Sequence, residues 1–159
     1  DLTSGPINYL APMGRMDEIP TNSVDLIISQ AVMEHVDQLE EIYAECFRIL
    51  KPGGFMSHQI DLRCHDTAPE WNGHWKYSEL MWRLMRGSRP WFINRQSCSV
   101  HLSLVRQAGF SLCAEIRQFG SLGIASRQLA SRFQSLSEND LTTSGIFVMA
   151  NKSSDNTHD

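Results

Sequence analysis

Apolar residues in this chain follow two periods. Val24-Asp25-Leu26-Ile27-Ile28-Ser29 is a near-continuous aliphatic and β-branched run, the pattern of a strand buried on both faces in a parallel sheet. Leu39, Ile42, Tyr43, Cys46, Phe47 and Leu50 then fall at i, i+3, i+4, i+7, i+8 and i+11, one stripe of a 3.6-residue repeat. Asp37 is placed to cap that helix, with Glu40 three residues on as the other half of a capping box. Lys51 stands at the negative end of its dipole, and Pro52-Gly53-Gly54 stops it. Phe55–Leu62 reads as the next strand. Strand, helix and strand with short connections make a βαβ unit, and the fold class follows: α/β, with a mostly parallel sheet.

The rest of the chain extends this pattern on both sides. Ile7–Pro12 reads as an earlier strand. Residues 64–92 break the alternation, hold all four tryptophans (Trp71, Trp75, Trp82, Trp91) and read as an insertion with one helical patch at Ser78–Arg86. A helix at Ser99–Ala108, ended by Gly109, precedes a strand at Phe110–Phe119. Ala125, Leu129, Ala130, Phe133 and Leu136 suggest a short helix, and Ile146–Ala150 a last buried strand. The polar residues 153–159 read as a disordered tail.

Composition narrows the class. A chain of 159 residues, 42% hydrophobic and 20% charged, makes one globular domain. It has no apolar run near the ~20 residues of a membrane helix. Cys46, Cys64, Cys98 and Cys113 form no C-x-x-C pair, and no secretory signal is present, so reduced thiols and a cytoplasmic location are expected. A chain opening at Asp1 reads as a piece of a longer protein. The net charge of −4 is unevenly spread. Residues 1–75 carry four basic and twelve acidic side chains, residues 76–132 nine basic and two acidic. The middle stretch suits an anionic ligand, whereas the acidic whole argues against nucleic acid.

Two phrases carry a resemblance. Asp17-Glu18-Ile19-Pro20-Thr21-Asn22-Ser23-Val24-Asp25-Leu26-Ile27-Ile28-Ser29-Gln30-Ala31-Val32-Met33-Glu34-His35-Val36 resembles the fourth-strand region of class I S-adenosylmethionine-dependent methyltransferases. Arg48-Ile49-Leu50-Lys51-Pro52-Gly53-Gly54 resembles the turn before their fifth strand. The likeness extends over about residues 6–150. It implies a Rossmann-like sheet of order 3-2-1-4-5-7-6 with strand seven antiparallel, of which strands three to seven are present. Residues 1–152 would then be a partial methyltransferase domain with the insertion at about 64–92. The Gly-rich turn and the ribose-binding acidic residue of strands one and two are absent from the sequence. Arg15 and Cys64 depart from the Gly-Asp-Ala and Arg-Asp-His of relatives.

The resemblance implies S-adenosylmethionine as cofactor, held by Met16, Ser29, Gln30 and Ala31. The acceptor would be a small molecule, lipid or glycan, with Trp75 and Arg95 lining its site. Ligands of open α/β sheets bind beyond the carboxyl ends of strands, which makes Asp61 and His65 the expected bases and His35 a third catalytic candidate. His58, Asp61, Cys64, His65 and His74 match no zinc spacing, and His58 and Asp61 diverge on a strand, so no metal is expected. The other reading is a non-catalytic remnant or interaction module. In either case the chain alone should be inactive, bind the cofactor weakly and self-associate through an exposed sheet edge.

Overall fold

The β-branched run forms β1 (Val24–Gln30), and the 3.6-residue stripe forms α1 (Leu39–Ile49). Leu39, Tyr43, Cys46 and Ile49 are the buried side of that helix. β2 (Leu50–Asp61) follows without a loop and starts earlier than Phe55–Leu62 because Leu50 already pairs with Val24, while Lys51–Gly54 form an irregularity before the regular register resumes at Leu26 and Phe55. After α2 (Glu79–Arg86) and α3 (Cys98–Gln107) come β3 (Ser111–Phe119), α4 (Glu138–Thr142) and β4 (Thr143–Asn151). This computed structural model describes residues 13–121 and 123–154. The strand expected at Ile7–Pro12 and most of the expected tail lie outside them. None of the described helices is long and apolar enough to cross a membrane.

The sheet order is β1-β2-β4-β3. β1 and β2 are parallel, and β4 is antiparallel to both β2 and β3. These are strands four, five, seven and six of the expected order, so β1, β2 and β3 all point their carboxyl ends the same way. Met56, His58 and Ile60 of β2 and Val148 of β4 face α1 and α3, closing one core with Tyr43, Leu102 and Val105. Burying each such side chain contributes about 1.5–3 kcal/mol.

The other face of the sheet differs from expectation. Leu26 and Ile28 of β1 are 51% and 69% exposed, with exposed Phe55 paired to Leu26 on β2 and exposed Ile116 on β3 at the far edge. A parallel strand that is apolar on both faces needs a layer on each side, and among the described residues only one side has it.

Local contacts correct several expectations. The α1 N-cap is Gln38, without a side-chain hydrogen bond, because Asp37 pairs with Arg86. Lys51 bonds Asp25 instead of the helix end. That end is capped by Lys152, whose Nζ donates to the Phe47 and Leu50 carbonyls at 2.8 and 3.0 Å. The helix suggested by Ala125 to Leu136 is two short 3-10 turns, Ser126–Gln128 and Ser131–Phe133. There the Ala130 N–H donates to the Trp75 carbonyl at 3.0 Å, which takes it out of any helical ladder. Trp75, Ile124, Leu129 and Phe133 form a second small core around this crossing.

Candidate functional site

Where β1 and β2 end side by side, a cleft of about 340 Å³ opens, lined by Gln30, Ala31, Gln59, Ile60, Asp61, Arg63 and Gln118. Its position follows from topology, since it lies beyond the carboxyl ends of parallel strands. Ala31 turns the chain sharply out of β1, with φ 52° and its N–H donated to the Gln59 carbonyl at 2.9 Å. A left-handed conformation at a residue with a Cβ costs about 1–2 kcal/mol and is held here by the neighbouring strand. On the far side of Ala31 lies an apolar groove of about 270 Å³, walled by Val32, His35, Val36 and Trp91.

A 3-10 turn, Met33–His35, presents the next groups. Asn94 braces it, because its side-chain amide donates to the Met33 and Val36 carbonyls at 2.8 Å each, and its N–H donates to the Glu34 carbonyl at 2.7 Å. His35 Nδ1 lies 2.7 Å from the Trp91 carbonyl. A carbonyl only accepts, so Nδ1 carries a hydrogen, and in the neutral ring Nε2 is the nitrogen with the lone pair. Beyond β2, Asp61 Oδ1 accepts from the Arg63 N–H at 2.9 Å, and Asp61 Oδ2 lies 3.5 Å from His65 Nε2. The His65 ring meets His35 edge-on with centroids 5.0 Å apart. His65 and Asp66 have φ 46° and 60°, so a strained loop places the imidazole there.

Of the residues singled out in the sequence, Asp61, His65 and His35 are thus brought together, and Gln30 and Ala31 line the cleft next to them. Met16 is not among the cleft's lining residues: it packs against the main core, and its carbonyl accepts from Arg48 at 2.8 Å. Ser29 commits its hydroxyl to His58 Nδ1 at 2.7 Å. Burial pushes His58 down to about 4, a core histidine on the helix-covered face.

Trp75 and Arg95, expected to line the acceptor site, lie in the interior. Trp75 is fully buried, with Nε1 donating to the Arg95 carbonyl at 3.1 Å. The Arg95 guanidinium is buried over Trp82 at 4.5 Å and Phe133 at 5.0 Å, and bonds Glu79 at 2.6 Å. Both are inner residues of the small core, because an aromatic cluster gains more by packing on itself than by facing water. Trp91, 60% exposed on the apolar groove, is the tryptophan at the surface.

The sequence reading also passed over Glu34. Glu34 is 3% exposed, and neither of its carboxyl oxygens has a hydrogen-bond partner. Burial raises its pKa, against the pull of its own backbone, His35 and His65. Among the described residues, the group whose potential ligand atoms converge is Glu34, His35 and His65, all within 4.8 Å of one another. Glu34-His35 as adjacent residues after a strand was the available signal.

Comparisons with known proteins agree with this architecture. The methyltransferase domain family matches residues 5–57. No curated protein sequence matches. Among solved structures, the Haloferax volcanii complex of the Trm112 methyltransferase activator with a protein described as a methyltransferase aligns at 17% identity and a TM-score of 0.52, over 88% of this chain and 58% of that one. A protein described as a sarcosine dimethylglycine methyltransferase from Galdieria sulphuraria gives 16% identity and 0.50, over 85% and 55%. The Haemonchus contortus phosphoethanolamine N-methyltransferase 2, in complex with S-adenosyl-L-methionine, gives 15% and 0.51, over 85% and 34%. The chain therefore spans between about a third and three-fifths of the length of these structures. Sheet order, strand directions and these alignments together show that the described residues carry the class I S-adenosylmethionine-dependent methyltransferase fold.

Proposed function

We propose that this chain is the acceptor-side half of an enzyme that moves a methyl group from S-adenosylmethionine to a small-molecule, lipid or glycan acceptor. The observation that carries the reading is the convergence of Asp61, His65 and His35 beside a cleft at the carboxyl ends of β1 and β2. A cleft of about 340 Å³ falls in the range of small-ligand sites. Gln30 and Ala31 fit the cofactor from this side. Met16 and Ser29 would contribute backbone alone, since their side chains are engaged elsewhere.

When bound, S-adenosylmethionine supplies the electrophilic methyl carbon of its sulfonium. Every other part falls to the protein. Positioning the acceptor in line contributes most to such a displacement. The apolar groove of Val32, Val36 and Trp91 would hold the acceptor's carbon framework against Ala31, where groove and cleft meet. If the accepting oxygen or nitrogen carries a proton, Asp61 takes it, directly or through His65 at 3.5 Å.

The test uses the complete gene product, labelled cofactor and a panel of acceptors. Asp61→Asn and His65→Gln should each lower kcat by ~10²–10⁴-fold, the usual loss for a general base, while cofactor affinity changes little. Turnover unaffected by both substitutions, or affinity falling in parallel with rate, would overturn the assignment. An intact protein that neither binds the cofactor nor transfers methyl would favour an interaction module.

A further inference from the structure

Glu34 is the least compensated group at the site. A carboxyl taken out of water without a hydrogen bond or cation costs several kcal/mol, and 3% exposure leaves it no water to speak of. Both of its oxygens lack a hydrogen-bond partner, and one of them lies within 4.8 Å of a ring nitrogen of His35 and of His65. The three ligand atoms lie within 4.8 Å of one another, so a small inward movement of the side chains would bring them to the ~3–4 Å spacing of donors around one ion held at ~2.0–2.2 Å. His35 is already set for that role. Its Nδ1–H is donated to the Trp91 carbonyl, the outer contact that fixes a ligating tautomer and leaves Nε2 free. Asp61, 3.5 Å from His65 Nε2, gives the second histidine a carboxylate neighbour. The turn carrying Glu34 and His35 is held by three hydrogen bonds from Asn94, which fixes the backbone of two of the three ligands.

The geometry points to a divalent transition-metal site formed by the Glu34 carboxylate and one ring nitrogen each of His35 and His65. Two imidazoles and one carboxylate suit zinc and its first-row neighbours rather than magnesium or calcium, which prefer oxygen alone. Three protein ligands leave a coordination position open, the arrangement of a site that also takes a ligand oxygen. The site deepens the proposed function and rests on it in one respect: the open position would bind an acceptor oxygen. A bound cation makes His65 a ligand and leaves Asp61 alone to take the acceptor's proton. The metal site itself does not depend on methyl transfer.

The probe is Zn²⁺, titrated by calorimetry into the purified 159-residue chain with Cys113→Ser, which removes the exposed thiol. One equivalent should bind. Co²⁺ in its place should give visible absorption of low-coordinate geometry. Glu34→Gln, His35→Gln and His65→Asn should each weaken binding by more than ~100-fold, beyond the ~10–100-fold typical of losing only an outer partner. Zinc should raise the Tm of the parent chain and leave that of the variants unmoved. Glu34→Gln, which removes the buried charge, should raise the Tm of the metal-free chain. That pair of opposite effects carries the test even if a histidine variant fails to fold. No binding up to millimolar zinc, or binding that survives all three substitutions, would overturn the site. Zinc binding without methyl transfer by the complete gene product would refute the proposed function and leave the site standing. Transfer by a product with no zinc affinity would do the reverse.

Discussion

Acid should unfold this protein through its core histidines. His58, His74 and His101 are buried on three different elements, and burial is the main cause holding them down to about 4, 3 and 3. The charges of Arg95 and His65 push His74 further down, and that of His58 does so for His101. Two of them flank one tyrosine. His101 Nδ1 is hydrogen-bonded to the Tyr43 hydroxyl at 3.0 Å, and the His58 ring lies edge-on to Tyr43 with centroids 6.1 Å apart. Nε2 of both is buried without a partner, so a proton gained there would meet neither water nor an acceptor.

The direction follows from the shifts. Each folded pKa lies below the unfolded value of 6.5, so between the two the unfolded chain binds protons that the folded chain refuses. The associated stability is complete above 6.5 and is lost as pH falls, until the folded values near 4 and 3 are passed. Between pH 7 and pH 5 each histidine removes about 2 kcal/mol, or about 6 kcal/mol for the three, comparable with a whole domain's ~5–15 kcal/mol. Urea unfolding followed by circular dichroism at pH 7, 6 and 5 measures the loss directly. His58→Gln and His101→Gln should each reduce it by about 2 kcal/mol, whatever they do to stability at pH 7. A total loss under ~2 kcal/mol, or one unchanged by both variants, would assign the acid sensitivity to carboxylates and refute the reasoning.

Two further outcomes are expected. Arg95→Ala should destabilise the chain by ~3 kcal/mol in thermal or urea unfolding, because it removes a buried guanidinium that joins Glu79 to Trp82 and Phe133; a loss below ~1 kcal/mol would make that contact surface decoration. The isolated 159-residue chain should self-associate through the face and edge of β1 that none of the described residues covers, and should bind S-adenosylmethionine weakly. Light scattering should show Leu26→Lys with Ile28→Lys restoring a monomer, and micromolar cofactor binding by a monomeric parent chain would contradict both expectations.

What could be read from the sequence was what local periodicity records. The βαβ unit is legible because its strands are apolar runs while α1 repeats Leu39, Tyr43 and Cys46 at helical spacing. Strand ends then located Gln30, Ala31 and Asp61 without any knowledge of their contacts. Contacts between distant segments leave no such trace. Nothing local distinguishes Trp75, buried under Phe133, from Trp91, which lies in the open. The spacing of Ala125 to Phe133 is helical, yet a carbonyl fifty-five residues earlier claims the Ala130 N–H. Glu34 was hidden for the same reason, since its burial depends on the 93–96 segment folding back across the Met33–His35 turn.

Ala31 ties these features to one function. It borders both the polar cleft of Gln30, Asp61 and Arg63 and the apolar groove of Val32, Val36 and Trp91. An ordinary extended continuation of β1 would keep residues 30 to 32 on alternating faces of one ladder. With φ 52° the chain leaves the sheet at this residue, so that Gln30 stays with the strand ends while the Met33–His35 turn swings to the other side. Group transfer needs two ligands that meet at one point and are otherwise held apart, one charged and one shaped by its own carbon framework. A single strained residue between a polar and an apolar recess supplies that division, and the hydrogen bond from its N–H to Gln59 holds it against the relaxation that would merge the two. The strain at Ala31 is therefore best understood as the boundary between donor and acceptor sites in the proposed reaction.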